Sequence, residues 1–302
     1  MIRALLLALL IGGAQADCPP TPRPPTAAQA ARWAAQAPDR GLLWRISRDG
    51  HSSYLYGSLH LGKPEWAYPG PALRAAWEAT EVLAVELDPA DVGPALATLE
   101  KGAPLQPAQR RRIEAQARAA CLPEGALGAL PSMLQLSTLM LMQARRDGLD
   151  VAFGQDLMLL ARAKAEGRPV QSLETVEEQL AALEPDAAEL PSVIDGTLRQ
   201  LQSGQMRAPM RKLAAAWARG DLQTLAAYAR WCGCADSPAE RAWLRRVNDE
   251  RNGPLADRIA ALHGAGQRLL VVVGALHMSG PQALPRLLAE HGFDVQAVHP
   301  SK

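Results

Sequence analysis

The chain lacks what a nucleic-acid or membrane-surface protein needs. It has no run of basic residues, and its 32 Lys and Arg, one of them Arg3, meet 31 Asp and Glu. Such a balance has no electrostatic hold on phosphate backbones or anionic lipid. Beyond its first residues it has no apolar stretch near the roughly 20 residues that a spanning helix needs. No repeat of solenoid period is present. Lys is scarce beside Arg and Ala is abundant, a bias of GC-rich genomes rather than of function.

What is there begins with a leader. MIRALLLALLIGGAQA has one early Arg, an apolar centre and an Ala-x-Ala end at Ala14 and Ala16. That predicts a signal peptide over 1–16, cleaved near Ala16, and a periplasmic or secreted protein. An uncleaved N-terminal anchor is the alternative, and no lipobox leads into Cys18. Four cysteines, Cys18, Cys121, Cys232 and Cys234, are an even number for an oxidising compartment. Three pairings are possible. Closeness in sequence favours Cys232 with Cys234, leaving Cys18 for Cys121. Metal binding by Cys232 and Cys234 has no second cysteine pair or nearby His to support it.

A Pro- and Ala-rich tether and short helix occupy 17–38, and a single domain is expected over 39–302. LLWRIS, then Arg48-Asp49-Gly50-His51, then SSYLYGSLH predicts a β-hairpin with Asp-Gly at its turn. A helix is expected at 71–79, a third strand over EVLAVELD (81–88), and a short one over RPVQSLE (168–174). LLVVVGALH, a helix at 281–291 and FDVQAV (293–298) close the chain. Between about 91 and 262 apolar residues recur at helical spacing. The strands thus cluster at both ends. The fold class is mixed α/β, a central mixed sheet from N- and C-terminal strands carrying a long helical insertion, with the C-terminal βαβ unit completing the sheet.

Two of those strands end alike. SSYLYGSLHLG and RLLVVVGALHMSG each finish an apolar run on Gly-x-x-His, Gly57 to His60 and Gly274 to His277. Ligands of α/β sheets bind outside the carboxyl ends of the strands. If the two strands are neighbours, both imidazoles face one space. Glu86 adds a carboxylate within an apolar run, costly unless paired or metal-bound, and Asp88 follows it. Two His and one carboxylate with room for water make a divalent-metal site for hydrolysis.

Plainer roles stand beside these. Either His caps a strand end on backbone, and Glu86 pairs with an Arg across the sheet. Asp156 and Glu174 compensate helix dipoles at N-termini. Arg251 and Asn252, late in a helix before Gly253-Pro254, either clamp a substrate carboxylate or hold an ion pair. His51, His263, His291 and His299 are poor candidates as ligands. Trp217, Tyr228, Trp231 and Trp243 pack the helical lobe. The Met-rich SMLQLSTLMLMQ (132–143) is core, with a binding groove as the alternative.

At these residues the chain resembles the TraB/GumN family, which includes the Tiki proteins. The likeness runs through LLWRIS-RDG-HSSYLYGSLHLG, with Ser58 where Thr is usual, through EVLAVELD, and through FGQDLMLLARAKAEGRPVQSLETVEEQL with Gln179. It continues through DERNGPLADRI and the closing block with the second Gly-x-x-His. The resemblance implies a fold related to the erythromycin-esterase and ChaN-like groups. For Tiki-like members it implies a metal-dependent peptidase supported by manganese or cobalt, with zinc possible. Carried over, the ligands are His60, His277 and Glu86, with Glu86 as third ligand or general base. Gly57, Ser58, Asp88, Asp156, Glu174, Arg251, Asn252 and Gly274 are then substrate-orienting or outer residues. The expected function is a periplasmic metal-dependent hydrolase, most simply a peptidase, acting on a peptide or small molecule. The alternative is a non-catalytic envelope protein holding haem, a metal or a small ligand.

Overall fold

The computed structural model describes residues 18–92 and 105–298. The expected signal peptide (1–16) and His299 lie outside the described residues. Six strands form one sheet: β1 (Leu42–Arg48), β2 (His51–Ser58), β3 (Val82–Val85), β4 (Val170–Ser172), β5 (Leu269–Gly274) and β6 (Asp294–Ala297), in the order β4-β3-β5-β2-β1-β6. The sheet is mixed. β1 is antiparallel to both β2 and β6, and β5 runs parallel to β2 and β3.

Local chemistry explains the hairpin. Asp49 and Gly50 both take left-handed φ, 53° and 80°, so Arg48 pairs directly with His51. Two consecutive left-handed residues twist a two-residue turn in the sense the strands need, and Asp-Gly tolerates it. β5 is apolar without alternation because it is central. Leu269 to Val273 are buried, as parallel strands covered on both faces require. The C-terminal unit completes the sheet in two separate places: β5 enters its middle and β6 its far edge, with β2 and β1 between.

β3 is shorter than expected. It stops at Val85 because its partner β4 has only three residues, ending at Ser172. Glu86 therefore sits just past a strand end rather than inside a strand. Its carbonyl still accepts from the Glu174 amide at 3.0 Å, which draws residue 174 alongside it.

Helices fill most of the middle and make a core of their own. Ile113, Leu136, Leu139, Val193, Ile194, Leu198 and Leu201 cluster apart from the main core on the sheet. The Met-rich stretch belongs here, with Met133, Leu136 and Leu139 buried in the Ser132–Ala144 helix. Trp243 packs against this cluster. Trp217 does not pack the helical lobe as expected. It is buried in the sheet's core, where its indole N–H donates to the Gly57 carbonyl at 2.7 Å. Both disulfides have the favoured pairing, and Cys18–Cys121 ties the N-terminal segment to the helical layer across 103 residues. Among the described residues, no helix is long and apolar enough to cross a membrane.

Candidate functional site

β2 and β5 are neighbours, but their motifs are out of step. Gly57 pairs with Val273 and Ser58 with Gly274, so the second motif begins one residue later along the sheet. After Gly274 the chain turns into a short 3-10 segment, Ala275–Met278, that tucks His277 inward. After Ser58 it runs out toward a loop. The two imidazoles consequently differ: the His277 side chain is 4% exposed and that of His60 59%. Both glycines are needed for close approach. A side chain at Gly57 would meet Met278 Cγ at 2.9 Å, and one at Gly274 would press on Glu86 Oε1 at 3.3 Å.

His277 Nδ1 lies 2.6 Å from Asn252 Oδ1. The Asn252 amide nitrogen donates to the carbonyls of Gln282 and His277 at 2.6 and 3.3 Å. Two carbonyl partners fix which end of the amide is the donor. Oδ1 therefore faces the ring, Nδ1 carries the proton, and Nε2 keeps a lone pair. Burial pushes the His277 pKa down to about 4. Arg251 and His60 push the same way, and Glu86 opposes them. At neutral pH His277 is an uncharged base.

Nε2 faces Glu86 Oε1 at 3.8 Å and Arg251 Nη1 at 3.5 Å. Glu86 Oε1 accepts the Gly274 amide at 2.6 Å, and Oε2 takes Arg251 Nη2 at 2.6 Å. Burial alone would raise the Glu86 carboxyl. Nearby positive charge and the Gly274 N–H outweigh it and hold the group well below its ordinary value. The pull comes first from His277, which is protonated at the low pH where Glu86 titrates, and then from Arg251 and His60.

Arg251, buried among these groups, also holds Glu174 through Nε at 2.9 Å and through Nη2, and donates to the Val247 carbonyl at 3.0 Å. Arg251 and Asn252 do not sit late in a helix. They open the Asn252–Gly264 helix, and Pro254 falls in its first turn, where a missing N–H costs nothing. Glu174 is no dipole compensator either. Thr175 caps the following helix, and Glu174 turns inward to Arg251. Two buried carboxylates against one guanidinium leave a surplus negative charge.

His60 reaches the rim. Its Nδ1 bonds Asp156 Oδ2 at 2.6 Å, and that carboxylate raises the imidazole pKa, although water screens so exposed a pair. Among the described residues, Asp156 Oδ1, which is buried, has no hydrogen-bond partner. The loop carrying His60 is bolted to the segment before Asp156. Gly62 and Asp150 exchange backbone hydrogen bonds at 2.9 and 2.8 Å, and Gln155 Oε1 accepts from the Leu59 amide. A side chain at Gly154 would strike the His60 carbonyl at 2.6 Å. Sequence reasoning missed Gln155, Asp150 and Gly62. The glycines flanking His60 and Asp156 were the one available signal.

Not every expected residue arrives. Asp88 turns away to Lys164 Nζ at 2.8 Å. Ser58, fully buried, donates to the Val273 carbonyl at 3.3 Å and offers nothing to the site. Gln179 approaches Glu86 Oε2 at 3.5 Å.

Among the described residues, no three His, Cys, Asp or Glu side chains converge as a ready ligand shell for a metal. The donor types nevertheless suit a divalent cation. His277 Nε2 and Glu86 Oε1 are spaced as two ligands of one ion, whose bonds run about 2.0–2.2 Å. The surplus charge favours a cation, and Asp156 orients His60 from behind as carboxylates do for ligating imidazoles. His60 would have to give up its raised-pKa proton to join them. Other cavities are present. One of about 120 Å³ is bordered by Tyr56, Trp66 and Trp217, and one of about 650 Å³ lies in the helical layer around Ile113.

A family model described as the TraB/PrgY/gumN family matches residues 42–297. The uncharacterized protein YbaP of Shigella flexneri is 26% identical over 252 residues, covering 78% of this chain and 87% of that one. No solved structure matches the chain significantly.

Proposed function

This chain belongs to the TraB/PrgY/gumN family, and on that premise we propose that it is a metal-dependent hydrolase, a peptidase, working outside the cytoplasm. The observation carrying this reading is the buried neutral His277, its Nε2 lone pair held by Asn252 beside an ionised Glu86. A neutral imidazole whose lone pair is fixed in direction suits coordination of a metal ion, with Glu86 as third ligand or general base. Glu86 and Arg251 set the local charge, and Arg251 holds Glu86 in place. His60, more exposed and tied to Asp156, meets substrate first. His60, His277 and Glu86 would hold the divalent ion, which when bound polarises a carbonyl and supplies an activated water. The two disulfides suit an oxidising compartment.

Metal content tests the reading. Protein purified from periplasm without a metal-binding tag is loaded with manganese, cobalt or zinc, then desalted. Near-stoichiometric metal in wild type, lost in a folded His60→Ala, His277→Ala double variant, is expected, and a peptide-library cleavage screen follows. Equal, negligible metal in both removes this mechanism. A haem absorbance band would favour the ligand-binding alternative.

A further inference from the structure

The proposed hydrolytic site does not use Cys232 and Cys234, which are bonded across a single glycine. Closing so short a loop removes little entropy from the unfolded chain, whereas Cys18–Cys121 closes 103 residues. Fold stabilisation is thus a weak reason for the shorter bridge. Its two sulfurs are also unlike. Cys232 is 2% exposed, while Cys234 is half-buried next to an exposed Gly233. The backbone N–H of Cys234 donates to Cys232 Sγ at 3.0 Å. Gly233 takes left-handed φ, and the Gln200 side chain donates to its carbonyl, so the small ring is held from outside. On its Cys232 side the ring borders a cavity of about 630 Å³ that Arg199, Trp231, Asp236 and Glu240 also line.

We propose that Cys232–Cys234 is a thiol–disulfide exchange site whose substrate is a polypeptide bearing two cysteine thiols, approaching across the exposed Gly233. A substrate thiolate attacks Cys234 Sγ, the reachable sulfur. A substrate–Cys234 disulfide forms as the Cys232–Cys234 bond breaks, and Cys232 leaves as a thiolate stabilised by the Cys234 N–H. The second substrate thiolate then attacks the substrate sulfur of the mixed disulfide, and Cys234 leaves. The substrate dithiol loses two electrons and becomes a disulfide. The protein gains both electrons, and its two thiolates take up the two protons. One turnover needs no other oxidant.

The test uses the full chain in graded glutathione redox buffers, with both bridges quantified by alkylation and mass analysis. The Cys232–Cys234 bridge is expected to open under conditions about tenfold less reducing than Cys18–Cys121 requires. Wild type should also oxidise a two-cysteine peptide stoichiometrically. The Cys232→Ser variant, keeping the reachable sulfur, should form a mixed disulfide with oxidised glutathione about tenfold faster than Cys234→Ser. Opening of both bridges together, or equal rates in the two variants, would overturn the proposal. Should either variant misfold, the wild-type titration alone decides.

Discussion

Asn252 decides the tautomer of His277. Its Oδ1 sits 2.6 Å from Nδ1, and its amide nitrogen is committed to the carbonyls of Gln282 and His277, so the proton must lie on Nδ1. The lone pair on Nε2 is thus set by a side chain whose own hydrogen bonds go to His277 and the Gln282 carbonyl.

Removing that partner should cost function more than fold. Asn252→Ala leaves a buried ring N–H unpaired, a loss of about 1–3 kcal/mol in unfolding free energy. Metal affinity or turnover should fall about 10–100-fold. Asn252→Asp keeps an acceptor and should recover part of the affinity. Isothermal titration with manganese or cobalt reads the effect, and unchanged affinity in the Ala variant would contradict it.

Arg251 pairs with two buried carboxylates, so its loss strands charge. Arg251→Met should destabilise by about 3–5 kcal/mol in urea unfolding. Replacing Glu86 and Glu174 by Gln in the same chain should restore much of that, since uncharged amides no longer need the guanidinium. A cost within about 0.5 kcal/mol, the range of an ordinary surface change, would mean that the ion pair is not buried as described.

His277 makes stability depend on pH in a defined direction. Its folded pKa is about 4, and an unfolded histidine titrates near its ordinary 6.5. Between these values the unfolded chain binds more protons, so stability rises with pH and is lost as pH falls through the window. His277→Asn should flatten the slope of unfolding free energy there relative to wild type. Parallel slopes would show that the imidazole is not buried and neutral.

The His60–Asp156 pair behaves otherwise. Asp156→Asn should lower the His60 midpoint toward 6.5 in a proton NMR titration. Because the imidazole is exposed, unfolding free energy should move by less than about 1 kcal/mol. Metal uptake displaces the His60 proton, so wild-type affinity should rise with pH and the variant's dependence should weaken. An unmoved midpoint would remove Asp156 as the cause.

Much of the site was legible because strand ends announce themselves. The apolar runs before Gly57 and Gly274 and a carboxylate after VLAV are local signals, and His277 and Glu86 do lie side by side. Glu174 and Asp156 were read as helix charges because each does precede or open a helix. Their inward turn depends on Arg251 and His60, which lie 77 and 96 residues away. Asp88 follows Glu86 in the same run and is expected as an outer residue of the site. Lys164, 76 residues on, draws it off.

By itself, then, the amino-acid sequence determined the elements: which runs are strands, where the hairpin turns, which cysteines are close enough to pair, and that two histidines end apolar strands. These follow from periodicity and backbone preference over a few residues. Tertiary structure alone decided what the side chains are. The one-residue offset between β2 and β5 and the turn after Gly274 make one histidine buried and neutral and leave the other exposed and proton-rich. Charge state depends on solvent access and on neighbours brought from across the chain, and neither is written in a motif.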